Sequence, residues 1–407
     1  MADLRAWAIA SSPFYAELHR GLERAPLTEL PILTKKMVMD NFDRLVTDRQ
    51  VRLSNIESYV SQAAASGKFA GRYRVALTGG TTGRRGVFLA NDDEWATVLA
   101  SYARANDWAG VPAGITHRLR LAVVSSTNPA HQSVLVGATL ASPMVPTLGI
   151  DASDEISSIA ARLNAFGPDL LVGYASVLHE LARAQRAGSL AIRPRAVMSA
   201  SEVLSAEMRD DIKSAFGSNP FDVYAATETA GIASDCRLHA KHLYEDLVMV
   251  ENVDAAGRPV PAGERGERLL VTVLFSSTQP LIRYELSDSV TLSRTTCPDG
   301  LPFALLDSVS GRTEDTVILS GTRAYPNVFH AALDGLDLGG WQVIAGEHGI
   351  DVLVVRGSAP IVTGDLAARL RAELQRAGVT AAAVSVHEVD DIPRTALGKQ
   401  PLITHAQ

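Results

Sequence analysis

Leu77-Thr78-Gly79-Gly80-Thr81-Thr82-Gly83-Arg84-Arg85-Gly86-Val87-Phe88 is the stretch around which this chain can be arranged. Apolar Val75, Ala76 and Leu77 lead into it. Glycine tolerates positive φ and lets backbone approach a ligand closely. Consecutive N–H groups in such a loop form an anion-binding concavity. The hydroxyls of Thr78, Thr81 and Thr82 add donors, and Arg84 and Arg85 add fixed positive charge. A phosphate chain is the guest that suits this chemistry. A Walker A loop needs Lys-Ser/Thr where Arg84-Arg85 stands, and the Rossmann G-x-G-x-x-G is absent as well. The rival reading is a plain Gly/Thr turn between two strands.

Beyond the loop, strand-like and helix-like runs alternate. Asn91-Asp92-Asp93-Glu94-Trp95 sets capping residues and acids ahead of a helical stretch ending at Gly110. Leu119–Ser125 reads as a buried strand, with Pro129 and His131 past its carboxyl end, where open α/β sheets bind ligands. Asp151–Phe166 has helical spacing, with Ile156, Ile159, Ala160 and Leu163 on one face and Gly167-Pro168 as its stop. Strands are expected at Leu170–Val172, Ala196–Met198 and Asp222–Tyr224, with helices at Val177–Arg186 and Ser205–Phe216 between them. This alternation predicts α/β layers with a largely parallel sheet.

From about Val248 to Leu306, runs such as Glu267–Phe275 predict an antiparallel β portion. After Gly311 a smaller α+β unit begins, with one amphipathic helix at Leu366–Ala377. The expected division is a large domain over 1–311 and a small one over 312–407. Residues 1–70 read as short helical pieces broken by Pro26 and Pro31, with Thr34 placed to cap a helix at Lys35.

The bulk numbers narrow the function classes. The chain has 407 residues, 46% hydrophobic and 20% charged, which fits two or three soluble globular domains. A net charge of −7 argues against nucleic acid as a partner. No apolar run approaches about 18 residues, so no membrane span is expected. The N-terminus has no signal-peptide layout. Two cysteines cannot make a disulfide framework, and the expected setting is a reducing cytoplasm.

Five further segments can carry chemistry. Tyr224-Ala225-Ala226-Thr227-Glu228 ends a strand; its carboxylate can hold Mg²⁺ against phosphates, and its tyrosine can stack on a base. The alternative there is a helix N-cap with an acid in the first turn. Arg283–Asp288 sets an acid after a strand, able to accept from both ribose hydroxyls, or is a solvated turn. Gly311–Asp315 reads as a hinge between domains. Pro393–Lys399 is either a surface loop or a lysine held ready for developing negative charge. Cys236, His239 and His242, with Cys297 downstream, are four N and S donors suited to tetrahedral zinc; unpaired thiols and exposed histidines are the alternative.

Together and in this order, these segments resemble the adenylate-forming superfamily: acyl-CoA synthetases, peptide-synthetase adenylation domains and luciferases. Thr78–Gly83 matches its phosphate loop, and Tyr224–Glu228 its Tyr-Gly-x-Thr-Glu element. Arg283–Asp288 matches the ribose-aspartate segment, Gly311–Asp315 the hinge, and Pro393–Lys399 the C-terminal lysine loop. Ser12–Arg20, Leu30–Lys35 and Pro280–Asp288 are similar to the phenylacetate–CoA ligase branch. Three departures stand out. Arg84-Arg85 replaces the usual loop lysine, Ala225 replaces a glycine, and Cys297 with Asp299 stands where many relatives have paired cysteines.

The resemblance implies roles residue by residue. Thr78, Gly79, Gly80, Thr81, Thr82 and Gly83 would hold the ATP phosphates. Ala200, Ser201 and Glu202 would lie beside adenine, with Tyr224 stacked near it. Thr227 would touch the α-phosphate, Glu228 would bind Mg²⁺, and Asp288, helped by Arg312, would hold the ribose. Glu314 would be the hinge, Lys399 would contact the carboxylate and α-phosphate, and His131 and Tyr174 would line the acyl pocket. The implied reaction activates a carboxylic acid, aryl or arylacetic in this branch, as acyl-adenylate with release of pyrophosphate. The acyl group then passes to CoA, a carrier-protein thiol or an amine. A homodimer is suggested by the resemblance alone. The competing expectation is a non-catalytic adenylation fold that only binds. The altered phosphate loop favours it, while Glu228, Asp288 and Lys399 together stand against it.

Overall fold

The structure is a computed structural model of the chain, and it describes residues 1–62, 67–78, 85–114, 117–312, 317–319, 322–324, 326–333, 336, 338–346, 349–357, 359–376, 378–379, 383–392 and 401–405. Short helices open the chain: α1 (Ala2–Ser11), α2 (Pro13–Leu18), α3 (Lys35–Asp40), α4 (Phe42–Leu45) and α5 (Leu53–Gln62). Each break has a local cause. Ser12 caps α2 by accepting from the Tyr15 N–H, and Pro13 occupies the first turn, where its missing N–H costs nothing. Thr34 caps α3 as the sequence predicts, accepting from Met37 N at 3.2 Å.

Strands β1 (Arg74–Leu77) and β2 (Val87–Ala90) pair antiparallel, with Leu77 opposite Val87, and so frame the Gly/Thr loop. Helix α6 (Asp92–Trp108) follows, started by a reciprocal capping box between Asn91 and Glu94.

The central sheet holds β3 (Leu121–Ser125), β4 (Thr147–Asp151), β5 (Leu170–Gly173), β6 (Ala196–Ala200), β7 (Phe221–Ala226), β8 (Ala230–Asp235) and β9 (Lys241–Leu243). Its order is β4-β3-β5-β6-β7-β8-β9. The first five strands run parallel; β8 and β9 add on antiparallel. Helices α7 (Gln132–Leu140), α8 (Ile156–Phe166), α9 (Ala175–Arg186) and α10 (Ala206–Phe216) fill the crossovers. Ile159, Leu163, Leu178, Leu181 and Ile212 of α8–α10 bury one face against Val124, Leu171 and Val197. Ala105 of α6 packs with Leu121, Leu170 and Met198 on the other face. A parallel sheet covered on both faces needs apolar strands throughout, which explains why its central strands read so clearly.

Several segments differ from the sequence expectation, two of them next to the site. Asp151 ends an edge strand instead of starting a helix, and α8 begins at Ile156. The Asp151 carboxylate is taken by the Thr127 hydroxyl and by the N–H and hydroxyl of Ser153, which turns the chain before the helix. Strand β8 was not legible because its residues are small, yet all six are buried.

The antiparallel portion matches expectation. Strands β10 (Val248–Val253), β11 (Arg268–Val273) and β12 (Tyr284–Leu286) form one sheet, and β13 (Asp288–Leu292) pairs with β14 (Leu306–Arg312). These sheets and helices α1–α5 share one apolar core. The Tyr15 hydroxyl, fully buried in it, donates to the Pro280 carbonyl at 2.8 Å.

The C-terminal part holds β15 (Val317–Leu319), β16 (Thr322–Ala324), α11 (Pro326–Leu333), β17 (Leu338–Ala345), β18 (Gly349–Arg356), α12 (Thr363–Arg376), β19 (Ala383–Val389) and β20 (Ile403–His405). Its four-stranded sheet runs β19-β18-β17-β20. Buried residues from Val317 to Ile403 make a hydrophobic cluster of their own. The fold class is the expected one, a mixed α/β fold with several sheets. Among the described residues, no helix is long and apolar enough to cross a membrane.

Candidate active site

The carboxyl ends of β3, β5, β6 and β7 deliver residues 126–131, 174, 201–202 and 227–228 to one edge of the sheet. In a parallel α/β sheet this edge is where a crevice forms. Strand β7 brings Tyr224, and its hydroxyl donates to Asp288 Oδ2 at 2.7 Å. Two residues on from β7, the Glu228 carboxylate accepts from the Tyr284 hydroxyl at 3.4 Å. The two motifs singled out in the sequence, 224–228 and 283–288, thus meet through two tyrosine–carboxylate pairs. Strand pairing also sets Asp288 directly opposite Arg312.

Thr227 is anchored through its backbone. Gln132 Nε2 donates to the Thr227 carbonyl at 3.4 Å, and the Tyr102 hydroxyl donates to Gln132 Oε1 at 2.9 Å. Tyr102 and Gln132 were missed by sequence reasoning, and Tyr284, inside the 283–288 segment, was given no role. Nothing local marks them, since their partners lie far off in the chain.

The base of the Gly/Thr loop is closed by a reciprocal pair. Thr78 N donates to the Gly86 carbonyl at 3.0 Å, and Gly86 N donates to Thr78 Oγ1 at 2.8 Å. A Cβ on Gly86 would lie 2.7 Å from the Phe88 ring, so this glycine is required by space. Leu77 N donates to the Ala130 carbonyl at 2.8 Å, which ties β1 to the segment after β3. A cavity of about 200 Å³ lies here, lined by Tyr59, Val75, Leu77, Arg85, Pro129 and Leu135 among others.

The remaining expected site residues divide. Ser201 holds φ 69, a left-handed conformation that strains a residue with a Cβ. Glu202 Oε2 accepts from Ser176 N at 2.9 Å, placing a carboxylate at the start of α9, where the helix dipole favours it. Tyr174, expected in the acyl pocket, is 3% exposed and packs in the core. Its oxygen accepts from Ser126 N at 3.0 Å, and burial pushes its phenol up to about 12. His131 precedes α7 as its N-cap residue, and Ala200 ends β6. Gly79, Gly80, Thr81, Thr82, Gly83, Glu314 and Lys399 lie outside the described residues.

A second constellation sits at the far edge of the sheet. Cys236, His242, Cys297 and Asp299 each bring one ligand atom, and these atoms all lie within 4.8 Å of one another. His239, expected among the zinc ligands, is not in the group. Its ring packs at 4.5 Å on Phe221, its Nδ1 faces Asp235 at 3.9 Å, and burial holds its pKa down. The turn 236–239 carries the histidine away, with His239 itself at φ 57, and Asp299 stands where it was expected. Burial, with the Asp299 carboxylate beside it, pushes the Cys236 thiol up to about 12. Next to the group, Lys241 bridges Asp222 at 2.5 Å and Asp235 at 3.3 Å, tying β7, β8 and β9 together.

No known family profile matches the chain. Among curated proteins it is 25% identical to Protein CapK of Staphylococcus aureus over 296 residues, 69% of this chain and 59% of that protein. It is 26% identical to the phenylacetate–coenzyme A ligase of Escherichia coli strain K12 over 272 residues, 62% of this chain and 58% of that protein. The chain thus spans less than two thirds of the length of these relatives. Among solved structures, 2-hydroxyisobutyryl-CoA ligase in the postadenylation state superposes over 100% of this chain and 88% of its own, at TM-score 0.78 and 18% identity. ATP-bound MatB from Rhodopseudomonas palustris covers 80% of this chain and 66% of its own, at TM-score 0.58 and 18% identity. The fold is that of the adenylate-forming ligases. In sequence, the chain is similar to the phenylacetate–coenzyme A ligases and to CapK at 25–26% identity.

Proposed function

We propose that this chain activates a carboxylic acid with ATP as an acyl-adenylate, releases pyrophosphate and passes the acyl group to CoA. The observation that carries this reading is the meeting of Tyr224 with Asp288 and of Glu228 with Tyr284 at the carboxyl edge of the sheet. Asp288 accepts from the ribose hydroxyls, and its bond from Tyr224 fixes the carboxylate while setting the phenol ring next to the base. Glu228 is a hard oxygen ligand suited to Mg²⁺, which supplies charge neutralisation of the phosphates when bound. Thr227, held by Gln132, presents its hydroxyl at the α-phosphate. Residues 78–83 wrap the phosphate chain, with Arg84 and Arg85 taking the part of the loop lysine.

Lys399 contacts the carboxylate and α-phosphate, where an ammonium stabilises the charge that shifts during attack. Positioning and charge stabilisation carry such phosphoryl-centre chemistry. The division at 311/312 makes residues 312–407 a small domain. It turns about Glu314 to withdraw Lys399 and admit the acceptor. An aryl or arylacetic acid is the substrate class that follows from the branch; a carrier-protein thiol or an amine are the other acceptors compatible with an adenylate. A homodimer and a cytoplasmic setting belong to the same reading, as does a structural zinc ion held away from the adenylate.

ATP–pyrophosphate exchange over aryl, arylacetic and short aliphatic acids tests this. The expected outcome is exchange with a subset of acids, lost in Lys399→Ala. Absence of exchange across the whole panel, with ATP still bound, would support the rival reading of a binding module.

A further inference from the structure

We propose that Cys236, His242, Cys297 and Asp299 hold a zinc ion that fastens the β8–β9 hairpin to the link between β13 and β14. Cys236 directly follows β8, His242 lies on β9, and Cys297 and Asp299 lie in the link. Two sulfurs each about 2.3 Å from a tetrahedral zinc stand roughly 3.8 Å apart. The Sγ–Sγ separation here is 3.8 Å. A disulfide would set them about 2.05 Å apart.

The histidine is prepared for a metal on one side. His242 is fully buried, and its Nδ1 lies 3.2 Å from the Phe303 carbonyl. That contact leaves Nε2 as the free lone pair, the arrangement metal-bound histidines adopt. Nε2 faces Asp299 Oδ2 at 3.4 Å and has no hydrogen-bond partner among the described residues. A buried ring nitrogen of this kind calls for a cation in front of it.

The sulfur side is prepared as well. Leu238 N points to Cys236 Sγ at 3.4 Å, a donor that favours thiolate. Trp108 packs 5.6 Å from the His242 ring and excludes water from that side. Four protein ligands leave no open position, which makes the site structural. Asp299 in place of a third thiolate makes the ligand set harder and weaker-binding than a Cys₃His site. The clamp joins segments over 50 residues apart, and one of them continues from β13, the strand that begins at Asp288.

The site is read out by metal content and stands whether or not the adenylation reading does. The full chain, purified without chelator, is expected to carry about one zinc. Cobalt substitution is expected to give tetrahedral ligand-field bands with sulfur-to-cobalt charge transfer. Cys297→Ser and Asp299→Asn, whose residues are not deeply buried, are expected to stay folded by circular dichroism and to lose the metal. Asp299→Cys is expected to resist chelation longer, and His239→Ala is expected to keep the metal. A folded wild-type chain that takes up neither zinc nor cobalt overturns the proposal. So does metal kept in both Cys297→Ser and Asp299→Asn, or lost in His239→Ala.

Discussion

The Tyr224 hydroxyl donates to Asp288 Oδ2 at 2.7 Å. A hydrogen bond to a charged group contributes about 1.5–3 kcal/mol. Tyr224→Phe keeps the ring and removes this bond, so the Asp288 carboxylate, proposed to hold the ribose, loses its orientation. Water recovers part of the loss at a half-buried site. We expect the ATP KM to rise roughly tenfold, from the lower end of that range, with kcat changed little. Exchange rates measured against ATP concentration check this; an unchanged KM would remove Tyr224 from the nucleotide site. The identity of these residues was legible, because Tyr224, Glu228 and Asp288 stand in recognisable strings. Their partners were not. Tyr284 reads as one apolar residue in a strand, and only folding sets it against Glu228. Tyr174, expected from the resemblance in the acyl pocket, has a local setting that the sequence did not show. It is buried, and its oxygen accepts from the Ser126 N–H.

At the scale of elements, the β1–β2 hairpin carries the phosphate-loop reading, and its closure depends on Gly86. Adding a methyl there puts Cβ 2.7 Å from the Phe88 ring and 3.1 Å from Thr78 Oγ1. Gly86→Ala is therefore expected to cost about 1–3 kcal/mol of stability. Because Phe88 and Thr78 must both move, ATP binding is expected to weaken as well. A urea titration and an ATP titration on the same variant check the pair. A fully stable variant with intact ATP affinity would show that the hairpin base is not the frame of the loop. The strands of the central sheet were legible where both faces are buried, as at Leu121–Ser125 and Ala196–Ala200. Edge strands were not: β4 contains an exposed glycine, and β9 is three residues long. The register that sets Asp288 opposite Arg312 lay beyond any local pattern.

On the scale of the whole molecule, the N-terminal helices are part of the core and bring a titratable group into it. His19 is 1% exposed, against Tyr15 at 5.1 Å. Burial, then the nearby Arg5 charge, hold its pKa down at about 4 against an ordinary 6.5. A depressed histidine pKa means that the unfolded chain takes the proton first. Stability is then full above about pH 6.5 and falls as the pH drops from there towards 4. The thermal midpoint is expected to fall over that window, and less steeply in His19→Leu. The ring nitrogens have no hydrogen-bond partner among the described residues, so leucine breaks none there. Equal slopes for the two proteins would mean that His19 does not report on docking of these helices. The reach of this docking was hidden in the sequence, where residues 1–70 read only as short helical pieces.

The bond from Tyr15 to the Pro280 carbonyl spans 265 residues. During synthesis at about 5–20 residues per second, α2 leaves the ribosome roughly 13–50 s before its partner exists. For that interval Phe14 and Tyr15, which end up buried, lack the strands around residue 280 that help cover them. A nascent chain that has not yet reached residue 280 therefore leaves these groups without their final cover, a segment a holding chaperone can recognise.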